Sequence, residues 1–519
     1  MYNSNILDPI HGLIKVSEIE KWIFAQKPFN RLRRIKQNTF LYLIFPSANH
    51  TRFEHSIGVM HLAHQIYLNA NENYSTGFFK KTKYLLKETT GFQFYSVSEN
   101  LKDNEPLYVQ ELRIAALLHD VGHGPMSHLF DRYALNGEDF MEIVNSDKEL
   151  KIYAENFLKL IKDLEKKIKH EAVSCLFVIK IINQLKEVDE KFKTKFNPEQ
   201  KEIIKKLSAG RIIQMIEPDF YNVSELTLDG IDFSEFFSSI ISSFPLDADR
   251  MDYMARDSYF SGVNYGLYDK SRLLMSFIPV ILGEKVSLAI KESGIDSIIR
   301  FIQSRTHLYN QIYFHKTNRA ANSMLDFACK GIEKGEKVIE AKDYEKLLEF
   351  YWRNSDELFQ WETLKNKIKI GKHSEVLDEL LERNLVKRIF QHKITLVGIS
   401  ESQLDQINFK LTELVTKIEN EAKKHDFDIL VDTFPNRVFK DVEKSKIKIV
   451  SKVVDDYQIS LDWKKFNTEI TILEHEVIMF RIYVRGKEKK RELFNEKKQE
   501  ILKTLNPLLS ELKDIQQLF

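Results

Sequence analysis

Cysteine is almost missing from this chain. Cys175 and Cys329 are the only two in 519 residues, too few for a disulfide framework or a thiolate metal cluster, so a reducing compartment is expected. Long apolar runs are missing too: no stretch reaches the roughly 20 residues that span a bilayer. The opening MYNSNILDPIHG has no signal-peptide hydrophobic region. Charge of one sign is also lacking. The 77 Lys and Arg against 76 Asp and Glu leave a formal net charge of +1, which argues against a globally basic nucleic-acid binder. A nucleic-acid partner acting through a local basic site stays open without being favoured. No internal repeat or low-complexity tract interrupts the chain. These absences predict a soluble, cytoplasmic protein with no membrane partner, long enough for two or three structural units.

What is present is helical periodicity. PFNRLRRIKQ and HSIGVMHLAHQIYL carry it, a more polar stretch over 71–105 breaks it as a candidate insertion, and it resumes through 106–130. Residues 140–210 place Lys, Glu, Ile and Leu at helical spacing, and 294–335 form another long helical pattern. Between them EPDFYNVSELTLDGIDFSEF reads as loop or short β, and DADRMDYMARDSYFSGVNYG begins helical and ends in turn chemistry. Beyond about residue 390, KITLVGI, FDILVDTF, KIKIVSKVV and EVIMFRIYVRG are strand-like. The reading is a mainly α fold with a smaller C-terminal α+β lobe. It divides the chain into a core over 1–335, a helical connector over 336–394, and a regulatory or oligomerisation lobe over 395–519.

The stretch RIAALLHDVGHGPMSHLF poses the chemical question. Its apolar run asks for burial yet delivers His119 and Asp120, and Gly122, Gly124 and Pro125 then stop the helix. A lone His-Asp pair is most simply a helix end with a capping carboxylate. Two other stretches carry the same chemistry: HTRFEHSIGV supplies His55, and PLDADRMDYMARD supplies Asp247, Asp249, Asp252 and Asp257. Two imidazoles and two carboxylates suit a divalent ion such as Fe, Mn, Zn or Mg, with positions left open for water and substrate.

The pattern H…HD…D, here His55, His119-Asp120 and Asp249, resembles the signature of the HD-domain phosphohydrolases. The segments DPIHG, FNRLRRIKQ, FPSANHTRFEHSIGV, LLHDVGHGPMSHLFD, DADRMDYMARD and YFHK fall in the order found in the SAM-and-HD-domain dNTP triphosphohydrolases, over residues 5–330. No stretch resembles a SAM domain, so closer likeness to the bacterial dGTPase-like members is expected. The resemblance implies an HD-domain helical core that hydrolyses a dNTP, dGTP among the candidates, to deoxynucleoside and triphosphate. It also implies a divalent metal cofactor (Mn, Fe, Mg, Zn or Co) held by His55, His119, Asp120 and Asp249. His123, one turn past His119 if the helix continues, takes the place beside the α-phosphate. His128 and Asp131 support it, and His170 matches the proton donor to the leaving sugar oxygen. Arg52 and Arg250 match triphosphate ligands, Tyr253 the residue under the sugar, Gln37 and Asp257 the 3′-hydroxyl contacts, and Arg305 and Tyr313 neighbours of phosphate and nucleoside. Arg250 stands where the family commonly has Lys. Asn38, Tyr309 and Phe314 replace the Leu, His and Gln of eukaryotic members, which leaves base choice open.

The family assembles as homo-oligomers, with dimer, tetramer or hexamer all open here, and binds nucleotide effectors between subunits. Arg31, Arg33, Arg272, His315 and Lys316 match parts of such a site. Ala25 and Asn30 replace the Asp and Gln that read a guanine activator, so an effector outside the guanine rule is expected. Depletion of dNTPs would also suit antiphage defence.

Other features have plainer readings. His61 and His64 are taken as ordinary core or surface histidines, His11 as a turn residue, and the charge run 485–500 as a solvated helix. Both cysteines are taken as buried structural thiols. Two alternative functions remain: an HD-type phosphodiesterase or nuclease acting on nucleic-acid ends or signalling nucleotides, and a nucleotide-sensing subunit with little turnover.

Overall fold

A computed structural model describes residues 2–75, 92–188, 194–222, 224–243, 245–333, 336–368, 371–397, 400–436, 448–453, 456–460, 475–486 and 491–517. They fall into two compact units, one within 1–305, 337–359 and 445–463, the other within 306–336, 360–444 and 464–519. Among the described residues no helix is long and apolar enough to cross a membrane.

The first unit opens with a hairpin, Tyr2–Asp8 against Gly12–Ser17. Its turn is closed by Asp8 Oδ1, which accepts the N–H groups of Ile10 and His11, both at 2.9 Å. Gly12 follows at φ +72°, a left-handed conformation that costs glycine little. Ser17 and Glu20 then form a capping box for the Glu18–Ala25 helix.

Three helices carry the HD motif. Arg52–Ser75 runs through the core, with every residue from His55 to Met60 buried. It packs on Glu105–Leu118, whose residues Leu107–Leu118 are all buried, and on Ala248–Ser261. The latter contact is close because a Cβ on Gly58 would fall on the Asp252 carboxylate and the Arg256 guanidinium. Glycine also shapes the end of the apolar run: a Cβ on Gly122 would overlap the backbone at His170 and Ser174, where the His170–Lys186 helix approaches.

The unit also holds a sheet. Strand Lys285–Lys291 pairs antiparallel with Phe277–Leu282, and that strand pairs with Phe92–Phe94. The opposite edge of Lys285–Lys291 is shared by two parallel partners, Ile231–Asp232 at Lys285 and Lys448–Val453 at Ala289–Lys291. Strand Asp456–Ser460 pairs antiparallel with Lys448–Val453. Tyr74, Phe94, Ile278, Val280, Ala289 and Val450 form one apolar cluster beneath it.

The second unit is α+β. An antiparallel sheet has Lys387–Val397 and Ile429–Asn436 on either side of His475–Val484. One face buries Ile394, Ile429, Ile478, Phe480 and Ile482 against the helices Glu401–Lys424 and Arg491–Gln517. On the alternate positions, Asp432 pairs with Arg319 and the Tyr483 hydroxyl donates to the Lys316 carbonyl (3.0 Å), tying down the Lys316–Cys329 helix.

The mainly α class and the C-terminal α+β lobe stand as expected. The division into units departs from the boundaries read at 335 and 395: residues 306–336 go with the second unit, and the expected connector 336–394 is split between both. The four strand-like C-terminal segments are strands, yet they do not share a sheet. Lys448–Val453 instead fills the open edge of Lys285–Lys291, which needs partners for its backbone groups. In the candidate insertion 71–105, the Arg52–Ser75 helix runs on to 75 and Val97–Leu101 is a short helix. Residues 76–91 of it lie outside the described residues.

Candidate metal centre and active site

The Glu105–Leu118 helix ends at Leu118, with His119 as its C-cap. The helix stops there, as the glycines predict, and does not continue to His123. A turn brings His123 back instead, its N–H bonding the Asp120 carbonyl at 3.1 Å. Ser174 secures this turn twice, accepting from the Gly122 N–H (2.8 Å) and donating to the His119 carbonyl (2.9 Å).

His55, His119 and Asp249 converge from three helix ends, their ligand atoms all within 4.8 Å of one another. His55 Nε2 lies 3.1 Å from Asp249 Oδ1, and His119 Nε2 lies 3.8 Å from the same oxygen. Asp120 sits beside them, 3.7 Å from His55 Nε2 and 3.4 Å from His119 Nε2, and is also ion-paired with Arg52. The Nε2 atoms of His55 and His119 are both buried without a hydrogen-bond partner. Their Nδ1 atoms are occupied, His55 by Asp252 at 2.8 Å and His119 by the Ala116 carbonyl at 2.8 Å. Each imidazole is thereby set in the tautomer that turns an Nε2 lone pair to a shared point, which fits a divalent cation. The surroundings also favour positive charge. Burial disfavours a charged His55, but the neighbouring Asp249 and Asp252 carboxylates outweigh that and pull it up to about 10. Burial likewise opposes ionised Asp249, and the two imidazoles overcome it to hold the carboxyl below its usual range.

A second histidine group adjoins the first through Asp120, whose Oδ1 lies 3.4 Å from His123 Nε2. The His123 and His170 rings stack with centroids 3.6 Å apart, and His128 stands edge-on to His123 at 4.6 Å. Asp131 Oδ2 accepts from His170 Nδ1 at 3.1 Å. Burial, then the charges of Arg52 and His170, hold the His123 imidazole well below its ordinary value. All four expected catalytic residues are thus together.

The expected substrate residues of this unit other than Gln37 are already engaged. Arg52 Nε donates to Ser127 Oγ at 2.9 Å beside its pair with Asp120. Arg250 pairs with Asp247, the N-cap of Ala248–Ser261. Arg305 Nε donates to the Tyr253 hydroxyl at 3.0 Å. Asp257 is bound by His50 Nε2 at 2.7 Å, and the Gln37 side-chain carbonyl is buried without a hydrogen-bond partner. Tyr313 belongs to the second unit, as do His315 and Lys316, where His315 caps the Lys316–Cys329 helix.

One expected effector residue lies inside the first unit. Arg31 is only 1% exposed: its guanidinium donates to the Val121 carbonyl at 2.6 Å and lies over the Tyr351 ring at 4.7 Å. Burial draws it down to about 9, and it offers no cation at a surface. Arg33 lies over the Phe53 ring, and the exposed Arg272 donates to the Ser293 carbonyl at 3.0 Å.

Asp252, Arg256, His11 and His50 were not assigned from the sequence, although Asp252 stood among the quoted carboxylates. The available signal was the spacing Asp252–Arg256, an i,i+4 ion pair on a helix otherwise buried at those positions.

Known proteins share these features. The pattern of the HD domain matches residues 52–204, and that of an HD associated region matches 269–503. The chain is 27% identical to protein MJ1154 of Methanocaldococcus jannaschii, over 83% of this chain and 69% of the relative. It is 30% identical to YwfO of Bacillus subtilis, over 61% of this chain and 53% of the relative. It is also 25% identical to the deoxynucleoside triphosphate triphosphohydrolase SAMHD1 of Homo sapiens, over 86% of this chain and 64% of that protein. The chain therefore spans 53% to 69% of the lengths of these relatives. With its H…HD…D side chains gathered at one point, the chain carries an HD domain and is similar to the dNTP triphosphohydrolases.

Proposed function

We propose that this chain is a metal-dependent dNTP triphosphohydrolase, converting a dNTP and water to deoxynucleoside and inorganic triphosphate. The observation that carries the reading is the junction at Asp120, where the His55–His119–Asp249 group meets the His123–His128–His170 group. A cation site beside neutral and cationic nitrogen groups suits a phosphate ester whose α-phosphorus lies between the two. When bound, a divalent ion supplies Lewis acidity toward a phosphoryl oxygen and a water of lowered pKa. His55, His119, Asp120 and Asp249 would hold it.

The remaining steps fall to this chain's own groups. Water attacks the α-phosphorus, and the bond from phosphorus to the sugar 5′-oxygen breaks. His123 lies where it can donate to an α-phosphate oxygen. His170, oriented through Nδ1 by Asp131, keeps Nε2 for proton transfer to the leaving oxygen. Arg52 and Arg250 supply guanidinium forks for the β- and γ-phosphates, exchanging part of their present carboxylate pairing for phosphate. Tyr253, Asp257 and Gln37 are the groups offered to the sugar, and Arg305, bonded to the Tyr253 hydroxyl, is the one offered to phosphate and nucleoside. Nucleotide-dependent assembly through Arg33, Arg272, His315 and Lys316 belongs to the same reading.

The test is incubation with each dNTP and rNTP, singly and in pairs, with Mn, Mg, Fe, Co or Zn. Stoichiometric triphosphate and deoxynucleoside are the expected products. Release of mononucleotides from single-stranded DNA, with dNTPs untouched, would replace the reading with a nuclease. Tight dNTP binding without turnover would replace it with a sensor.

A further inference from the structure

The Asp8–Gly12 turn supplies none of the four HD side chains, yet it reaches their centre. His11 Nε2 lies 2.6 Å from Asp252 Oδ1, and Asp252 Oδ2 lies 2.8 Å from His55 Nδ1. Arg256 donates to both Asp252 oxygens, Nε at 2.8 Å and Nη2 at 3.0 Å. Its third nitrogen, Nη1, donates to Asp8 Oδ2 at 2.9 Å. Asp8 in turn holds the backbone N–H of His11 through its other oxygen. The loop of contacts is closed: Asp8, Arg256, Asp252, His11, and back to Asp8 along the turn. The side chains of His11, Asp252 and Arg256 are fully buried.

A hairpin staple needs less than this. The Arg256–Asp8 pair alone would anchor the turn, and Arg256 already satisfies both oxygens of Asp252. His11 adds a buried ring whose Nδ1 has no hydrogen-bond partner, a cost that stapling does not explain. What His11 does add is a second direction of constraint on the Asp252 carboxylate. A carboxylate gripped from one side can rock about that grip, whereas one gripped by Arg256 and His11 has its plane set. That matters because His55 has two nitrogens, and the partner of Nδ1 decides where Nε2 points. The absence of a Cβ at Gly58 is what lets the carboxylate come this close.

We propose that the Asp8–Gly12 turn is a positioning element of the metal centre, acting through His11 and Arg256 on Asp252, and through Asp252 on the tautomer and aim of His55. The proposal rests on the reading that His55, His119, Asp120 and Asp249 hold a divalent cation. It is independent of what the enzyme hydrolyses.

The experiment uses the full chain, stripped of metal and titrated with Mn²⁺ alone against a competing chelator. Visible absorption of the Co²⁺-loaded protein reports ligand geometry, and thermal unfolding of the metal-free protein reports fold stability. Asp252→Asn, which keeps the shape of the side chain, weakens Mn²⁺ binding roughly 10–100-fold and shifts the Co²⁺ spectrum with all four ligands in place. His11→Ala weakens it by about tenfold or less, and His11→Gln, able to donate to Asp252 again, restores part of the loss. The turn is only a staple if His11→Ala lowers the unfolding temperature while Mn²⁺ affinity and the Co²⁺ spectrum stay those of the parent. Should Asp252→Asn fail to fold, the His11 pair decides alone. A parent protein that binds no divalent ion would overturn the metal-centre reading itself, and this proposal with it.

Discussion

The two histidine groups on either side of Asp120 are built from the same residue type in opposite settings. Around His55 and His119 the near neighbours are carboxylates, and both imidazoles are pulled up despite burial. Around His123 they are Arg52 and His170, which add to burial in pushing the imidazole down. One surrounding favours positive charge and the other repels it. A few ångströms therefore separate surroundings that favour a charged imidazole from surroundings that oppose one, with one aspartate between them. No count of histidines reveals that difference.

The comparison can be broken from either side. Replacing His119 and Asp120 together by Ala removes half of the cation side. Stoichiometric Mn²⁺ binding and triphosphate release should both vanish, with the metal-free protein unfolding within a few degrees of the parent; retained hydrolysis would end the assignment. His170→Gln strikes the other side. Mn²⁺ binding should persist while kcat drops roughly 10²- to 10⁴-fold, as expected for loss of a positioned proton donor. A control in the second unit is Phe480→Ala, at a fully buried ring. It should cost about 3–5 kcal/mol by chemical denaturation and leave Mn²⁺ affinity unchanged.

The smallest effect sharpens the comparison along a single helix. His55, His61 and His64 share the Arg52–Ser75 helix, yet only His55 is raised. Burial first, then nearby positive charge, lowers His61 to about 4 and His64 to about 3. His64 Nδ1 accepts from Arg113 at 3.0 Å and loses that bond on protonation. Because the folded values lie below the ordinary 6.5, the unfolded chain binds more protons between the two. The contribution is whole above about pH 6.5 and is lost as pH falls toward 4 and then 3. Urea midpoints of the metal-free protein should therefore decline through this window, and His64→Gln should flatten the decline. Equal acid sensitivity in both would show that other groups govern it.

The candidate ligand set was legible because its residue types are chemically unusual where they stand, ending apolar runs with His and Asp. The side chains that hold Asp252 against His55 were not. His11 is a turn residue, as its neighbours announce, but its side chain meets Asp252 across 241 positions of sequence, a distance no local pattern encodes. Arg31 illustrates the opposite error. Its neighbours Arg33 and Arg34 are exposed and suggest one basic surface, while Arg31 is buried with Leu32 and turns inward onto Tyr351. Local hydropathy likewise identified Lys448–Val453 as a strand and could not say which sheet would take it.

That strand has a consequence for the order in which the molecule is made. When Lys291 leaves the ribosome, the edge formed by Ala289–Lys291 waits for partners that begin at Lys448. At ordinary elongation rates the wait is about 8–30 s, long on the scale of helix and hairpin formation. The helices that carry His55, His119 and Asp249 can be in place well before the sheet is closed. Through that interval the nascent chain has an unpaired β-edge to protect, and a cation taken up by the candidate site would favour the part already folded.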